Sequence, residues 1–302
     1  MRRVKLELCY DGSAYSGWQI QPKQPKVKTI QGELERALFR VTGCETEVLG
    51  SGRTDAGVHA LYQVAAFNTE SELPSETLVR AINAFLPCDV RVWRASVVDL
   101  TFHPIRDVVR KRYRYLASDS RPMFPFFRRN AWNYIQKLDV AKMKEAASFL
   151  LGTHDMKAFQ TQGSPRKSTV RTVFDVSVAR APLADAFRFP KLCESFPGAK
   201  NETAGYSPVA PFFPVPELIV FEVEADGFLY NMVRAIVGTL CLFGEGHKGF
   251  ENPKRMREIV ADADRRHAGP TAPPHGLYMI DVVYPDEIAT SPSTRGEEME
   301  GR

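Results

Sequence analysis

Cysteine is scarce in this chain of 302 residues: there are five, spread as an odd set with no C-x-x-C pair. Such a pattern argues against a disulfide framework and against a thiolate metal site, and it is typical of a reducing compartment. The most apolar stretch, residues 235–243, is too short to span a bilayer. The opening MRRVKLELCY lacks the apolar region of a secretion signal. We therefore expect a cytoplasmic protein that does not associate with membranes.

Signatures for nucleotide cofactors and metals are also missing. No G-x-G-x-x-G follows a predicted strand, and the glycine-rich residues 244–249 follow a helix and lack the G-K-[ST] ending of a P-loop. The histidines are dispersed, and no third metal ligand is in sight near His59 and Asp55. The sequence therefore predicts a protein without a cofactor and without a metal.

Basic residues are concentrated between residues 106 and 129. This segment contains eight arginines and lysines, two acids and five interleaved aromatic residues, although the formal net charge of the whole chain is only +4. Cations bind phosphates and aromatic rings stack on unpaired bases, so the mixture indicates RNA. A solvated basic strand is the alternative. From this segment we predict that Arg110, Arg112 and Arg114 contact the substrate.

Hydrophobic periodicity predicts the order βαββαβ twice. The predicted strands are residues 4–10, 46–49, 61–67 and 90–97 in the first half, and 108–116, 170–179, 218–225 and 277–284 in the second. Helices are predicted after Thr29, from Ser75, after Asp139 and over residues 229–243. The expected fold class is α+β, with two ferredoxin-like halves whose antiparallel sheets flank a central cleft.

We place the boundary between the halves near residue 105, giving an N-terminal half of residues 1–105 and a C-terminal half of residues 106–285. Residues 181–216 contain seven prolines between two predicted strands, which is too long for an ordinary hairpin loop. We interpret them as an insertion. The polar residues 286–302 are expected to be disordered.

The most informative segment is the glycine-rich run at residues 50–60, GSGRTDAGVHA. Its glycines allow close approach of another molecule, and Asp55 offers a carboxylate two residues after Arg53. On an extended backbone both side chains share one face, and an arginine there holds the carboxylate ionised as a nucleophile or base. The alternative is a surface turn with a helix cap.

Two further residues are unusual for their surroundings. Arg234 lies in the middle of a helix that is apolar on nearly every side, so a carboxylate or phosphate must meet its guanidinium. We predict a contact with Asp55, and a structural ion pair with another acid is the alternative. Tyr113 lies on the basic strand, where it can stack on a base and use its hydroxyl in proton transfer. The alternative is a tyrosine that only packs in the core.

Together these segments resemble the TruA family of tRNA pseudouridine synthases. The resemblance covers about residues 4 to 285 in order. It rests on YDG (10–12), GWQ (17–19), TIQGELE (29–35), GRTDAGVHA (52–60), KRYRY (111–115), LGTHD (151–155), FLYNMVR (228–234) and APPHGLY (272–278). The chain departs from the family pattern after His103, at Met156 and in the long insertion.

The resemblance implies a pseudouridine synthase fold with a central catalytic cleft. It also implies a tRNA pseudouridine synthase that isomerises uridines 38, 39 and 40 of the anticodon arm, and a homodimer that binds tRNA with both subunits. It implies that Asp55 is the catalytic aspartate and that Tyr113 contacts the target base. Arg53 and Arg234 would position or neutralise charges, and Leu277 would line the base pocket. We also place His59, inside the matched signature, among the substrate contacts. The sequence leaves open whether Asp55 attacks the sugar, attacks the base or abstracts a proton.

Two functions from other classes compete with this interpretation. A non-catalytic RNA-binding protein with two RRM-like halves would carry an RNP1-type string on a strand, and none is present. A metal-dependent phosphohydrolase would need several acids close to Asp55, and the nearest along the chain are Glu45, Glu47 and Glu70.

Overall fold

A computed structural model describes residues 1–24, 26–121, 124–161, 168–187 and 217–285. These residues form one ten-stranded sheet and five α-helices of eight or more residues, with a further one-turn helix. Within the described ranges no helix has the length and apolarity needed to cross a bilayer. The mixed α+β class predicted from the sequence is confirmed.

The strands are β1 (Arg2–Tyr10), β2 (Leu49–Gly50), β3 (His59–Thr69), β4 (Val90–Val98), β5 (Arg110–Ser118), β6 (Trp132–Asn133), β7 (Gly152–Asp155), β8 (Val170–Ala181), β9 (Leu218–Ala225) and β10 (Leu277–Val283). The helices are α1 (Ile30–Thr42), α2 (Ser75–Phe85), α3 (Val140–Ser148), α4 (Leu183–Ala186), α5 (Met232–Glu245) and α6 (Arg255–Asp262).

Local sequence signals explain where the helices begin and end. The Thr29 hydroxyl accepts a hydrogen bond from the backbone N–H of Gly32 at the start of α1, and Gly43 ends that helix with a φ of 74°. The Asp139 carboxylate caps α3 by accepting from the N–H of Lys142. Helix α5 is buried around almost its whole circumference, as its apolar sequence predicts.

Each half has the ferredoxin-like strand order. The N-terminal half runs β4-β1-β3-β2 and the C-terminal half runs β10-β5-β9-β8, with the short strand β7 added at its outer edge. In both halves the order along the sheet is fourth, first, third and second strand of the βαββαβ unit, so the predicted halves are confirmed.

The two halves are joined into one sheet by parallel pairing of β3 with β10. His59 pairs with Tyr278 and Ala60 pairs with Met279, while β2 pairs with Ala65 further along the same edge of β3. The glycine-rich loop of residues 51–58 connects β2 to β3, so it lies where the halves meet. Periodicity does not reveal this junction, because it does not specify which strands pair.

Some predicted boundaries shift. Strand β2 is shorter than expected and begins only at Leu49, and β8 extends to Ala181 before the one-turn helix α4. The prediction that residues 181–216 form an insertion falls outside the described residues from residue 188 onward, and so does the prediction that residues 286–302 are disordered.

Candidate active site at the junction of the halves

The loop that carries Asp55 is fixed by the segment that follows β1. The backbone N–H of Trp18 donates to the Thr54 carbonyl at 3.0 Å, and the hydroxyls of Tyr10 and Thr54 lie 2.8 Å apart. Gly17 has a φ of 86°, and a Cβ at this position would lie 2.5 Å from the Thr54 carbonyl oxygen. Only glycine allows this approach, so the YDG…GWQ segment serves to hold the backbone of Asp55.

Asp55 meets a cation from the other half of the molecule. Its Oδ2 lies 3.4 Å from Nη1 of Arg234, and a quarter of its side chain is exposed. Burial raises the pKa of Asp55 above its ordinary value, and the charge of Arg234 opposes that rise. The predicted contact between these two residues is therefore present, and it joins the glycine-rich loop to α5.

The Arg234 guanidinium is held from two further sides. Its Nε donates to the Ala272 carbonyl at 2.7 Å, and its Nη1 donates to Oδ1 of Asn231 at 2.7 Å. The backbone N–H of Ala272 in turn donates to the Arg234 carbonyl at 3.0 Å. The arginine thus has its direction set before any substrate arrives. Asn231 and Ala272 lie inside segments matched in the sequence, yet neither was predicted as a site residue.

Arg53 does not occupy the place that the sequence suggested. The expectation was that Arg53 shares a face with Asp55 and keeps it ionised. In the structure the cation that contacts the Asp55 carboxylate is Arg234. Residues 53–55 are not part of a strand, because Thr54 is drawn toward Trp18, so the two-residue alternation does not apply. The Arg53 side chain is exposed and forms no ion pair within the described part of the chain.

Strand β5 supplies two side chains near this loop. The Lys111 Nζ donates to the Ser51 carbonyl at 2.6 Å. Tyr113, two residues on, is 7% exposed, pairs with Met279 of β10 and meets the Phe228 ring edge-on at 4.9 Å between centroids. The alternation of β5 therefore places Tyr113 on the same side of the strand as Lys111.

Leu277 begins β10 opposite Tyr115 and is 5% exposed. Two residues on, Met279 reaches Gly52 of the loop, since a Cβ on that glycine would lie 3.2 Å from the methionine methyl carbon. Strand β10 thus adds an apolar surface next to the loop. A contact between Leu277 and a base remains a prediction.

His59 is buried between the halves, and its contact with the substrate remains a prediction. It is 2% exposed, stacks on Tyr278 at 4.7 Å, and its Nδ1 lies 3.0 Å from an Asp11 carboxylate oxygen. Its Nε2 lies 3.2 Å from the His275 carbonyl oxygen. His59 is part of the parallel pair that joins the halves, so its ring is enclosed by both of them.

Arg110, Arg112 and Arg114 contact acids of the neighbouring strands rather than presenting free cations. Arg110 lies 3.1 Å from Glu224, Arg112 lies 2.8 to 2.9 Å from Glu224, Glu222 and Asp175, and Arg114 lies 2.5 Å from Glu222. Burial disfavours the charge of Arg112, but its glutamate partners outweigh burial and raise its pKa. The three arginines are therefore paired with acids in the folded chain, and their contact with the substrate remains a prediction.

The physical reason is strand register. Arg112 pairs directly with Glu224, and Arg114 with Glu222, in the antiparallel ladder of β5 and β9. The alternating acids of FEVEA (221–225) are visible in the sequence, and the predicted strand over residues 218–225 puts both on one face. That alternation of acids was the signal in the sequence for these ion pairs. It predicts a ladder of ion pairs if β5 and β9 are placed side by side.

We expect Arg112→Met to reduce stability without weakening the binding of tRNA, the substrate that the sequence resemblance implies. Removing the cation leaves several carboxylates less compensated, and a loss of about 2 kcal/mol in the free energy of unfolding is expected. The plot of log affinity against log salt should keep its slope. Arg53→Gln is the contrasting variant: because its side chain is exposed and unpaired, that slope should flatten by about 0.7 to 0.9. A flattened slope in Arg112→Met would instead show that this arginine contacts RNA directly.

Comparison of the chain with known proteins identifies the same family that the sequence motifs resemble. A model of the tRNA pseudouridine synthase family matches residues 9–106 and 146–285. A tRNA pseudouridine synthase A of Thermoanaerobacter sp. is 39% identical over 284 residues, which is 94% of this chain and 100% of that protein. Proteins of the same name from Acetivibrio thermocellus and Latilactobacillus sakei are 39% and 36% identical, each over 94% of this chain and over 100% and 99% of their own lengths.

Proposed function

The chain belongs to the tRNA pseudouridine synthase family, and on that premise we propose that it isomerises uridines 38, 39 and 40 in the anticodon arm of tRNA, with Asp55 as the catalytic carboxylate. The observation that carries the catalytic role is the position of Asp55. It is a partly exposed acid at the junction of the halves, on a loop fixed from one half and facing an arginine from the other.

The reaction needs a carboxylate and no electron carrier. The bond between uracil N1 and the sugar C1′ breaks, the base turns, C5 bonds to C1′, and a proton leaves C5 while N1 gains one. Attack on the sugar, attack on the base and removal of a sugar proton each require an ionised acid beside the nucleoside. Arg234 supports that ionised form, because its charge opposes the rise in the Asp55 pKa that burial causes.

The surrounding residues bind the displaced uridine and the RNA backbone in this proposal. A uridine in the anticodon arm has to leave its stack, at a cost of a few kcal/mol. In the proposal, Tyr113 contacts the displaced base and Leu277 forms part of the apolar wall. Exposed Arg53 meets a backbone phosphate close to Asp55.

The resemblance also implies an assembly, and the cysteine usage indicates a location. We infer a homodimer that holds one tRNA with both subunits, located in the cytoplasm. The scattered thiols support a reducing compartment. A size measurement in solution tests the dimer.

A metal-dependent phosphohydrolase is less well supported, because the acids it would require lie elsewhere. Glu70 pairs with the N-terminal amine of Met1 at 2.6 Å. Glu45 and Glu47 line a separate cavity of about 230 Å³ beside Arg3. Among the described residues no group of three or more His, Cys, Asp or Glu side chains is placed to hold a metal ion.

The test is to incubate the purified protein with an unmodified tRNA transcript and to map pseudouridine by chemical labelling. We expect labelled positions at 38, 39 or 40, and none in a transcript that carries cytidine there. A parallel reaction in excess chelator, with the tRNA folded beforehand, should give the same product. Strand cleavage or phosphate release without pseudouridine would support the phosphohydrolase and overturn the proposal.

A further inference from the structure

Asn231 adopts a backbone conformation that disfavours a side chain. Its φ is 61°, in the left-handed region, and the only other described non-glycine residue with a positive φ is Ala263 at 49°. Asparagine tolerates this region better than most residues, but strain of this kind persists only where the surroundings enforce it. An observed outlier beside a candidate catalytic pair therefore calls for a functional explanation.

The Asn231 side chain does not perform the task that its position in the chain suggests. It directly precedes α5, where an asparagine ordinarily caps the helix, yet it makes no capping hydrogen bond. Its Oδ1 instead accepts from Nη1 of Arg234 at 2.7 Å, and its Nδ2 donates to the Thr161 hydroxyl at 2.9 Å. The backbone N–H of Thr161 donates to the Tyr230 carbonyl at 3.2 Å, which ties the two segments together.

The amide oxygen and the catalytic carboxylate meet the same nitrogen. Nη1 of Arg234 lies 2.7 Å from Asn231 Oδ1 and 3.4 Å from Asp55 Oδ2, while Nε is occupied by the Ala272 carbonyl. An amide oxygen directs the guanidinium but carries no charge, so the positive charge of Arg234 stays available to Asp55. A carboxylate at position 231 would compete with Asp55 for that charge.

We propose that Asn231 is a positioning residue: anchored on Thr161, its amide aims the guanidinium of Arg234 at Asp55. This rests on the proposed catalytic role of Asp55 and extends it to a residue that contacts neither substrate nor the reacting atoms. The left-handed backbone is explained, because it turns the side chain away from the helix end and toward Arg234.

The other charged groups around the pair do not replace this contact. Arg53, on the same loop as Asp55, is exposed, and Lys111 of β5 binds the Ser51 carbonyl. Burial lowers the pKa of His275, just before β10, and the neighbouring charge of Arg234 lowers it further. Arg234 is therefore the cation whose direction governs how readily Asp55 ionises.

Two pairs of variants test the proposal by the pH dependence of pseudouridine formation. Asn231→Gly suits the positive φ but removes the amide. We expect kcat to fall about tenfold, KM to stay near the parental value, and the acidic limb to move up by about one pH unit. Ala263→Gly relieves the same kind of strain at the end of α6 and should leave the profile unmoved.

Thr161→Val removes the anchoring hydroxyl at nearly constant shape, and Thr161→Ser restores it. We expect the valine variant to shift the acidic limb in the same direction as Asn231→Gly, and the serine variant to return to the parental profile. If the acidic limb of the pH profile stays at the parental pH in both Asn231→Gly and Thr161→Val, the positioning role is wrong. Failure of the proposed function is distinguishable, since the unaltered protein would then form no pseudouridine, and failure of the catalytic role of Asp55 would appear as parental turnover in Asp55→Asn.

Discussion

Replacing Asp55 by asparagine is expected to abolish pseudouridine formation while tRNA affinity stays within about threefold of the parental value, since phosphate contacts supply most of the binding free energy. The amide keeps the size of the side chain but loses its charge, its nucleophilicity and its capacity to accept a proton. All three chemical routes open to Asp55 depend on at least one of those properties. Turnover is measured by product mapping and affinity by titration with labelled tRNA.

Asp139→Asn is the matched control. Asp139 caps α3 by accepting from the N–H of Lys142, and asparagine performs that task equally well. The control therefore makes the same chemical change away from the junction, and it should retain parental turnover and stability. Parental turnover by Asp55→Asn, in contrast, would remove the basis for the catalytic proposal.

Much of the fold was predictable, because its signals are local. Alternation of apolar residues marks the strands, and Thr29 and Gly43 bound the first helix with a cap and a left-handed glycine. The contact of Arg234 with Asp55 was predictable for a different reason. A charge in a helix that is apolar on every side requires a counter-charge, and the glycine-rich loop contains Asp55, which can provide it.

What could not be predicted depends on which strands lie side by side. Arg112 and its partners in β9 are separated by 110 to 112 residues, and only the register of the two strands shows that the arginine is neutralised. His59 likewise becomes inaccessible only when β3 pairs with β10. Neither pairing has a signature in a single sequence, so neither the ion pairs of Arg112 nor the burial of His59 was predicted.

The role of Asn231 was hidden in another way. Within the matched FLYNMVR segment it reads as an ordinary helix cap, because sequence does not show a positive φ. Its contacts with Arg234 and Thr161 become visible only in three dimensions. The sequence thus supplied the catalytic pair, and the structure supplies the residues that hold it.

Arg234→Leu is expected to retain tRNA binding but to lose activity progressively as the pH falls. Burial already raises the pKa of Asp55, and Arg234 opposes that rise, so removing the arginine should raise the pKa further. Activity that requires ionised Asp55 is lost as the pH drops through that pKa. The acidic limb of kcat/KM should therefore move to higher pH by about 1 to 2 units.

Arg234→Lys separates charge from geometry. Lysine keeps a positive charge near Asp55 but cannot donate at once to Ala272, Asn231 and the carboxylate in the fixed pattern of a guanidinium. We expect its acidic limb to lie between those of the parent and of Arg234→Leu, with a lower kcat at the plateau because the ammonium is less well directed. If the leucine variant keeps the parental limb, Asp55 does not depend on this arginine for its ionisation, and the contact between the two halves is only structural. A limb that moves in the leucine variant and partly returns in the lysine variant would show that the electrostatic coupling across the junction controls the protonation of the catalytic acid.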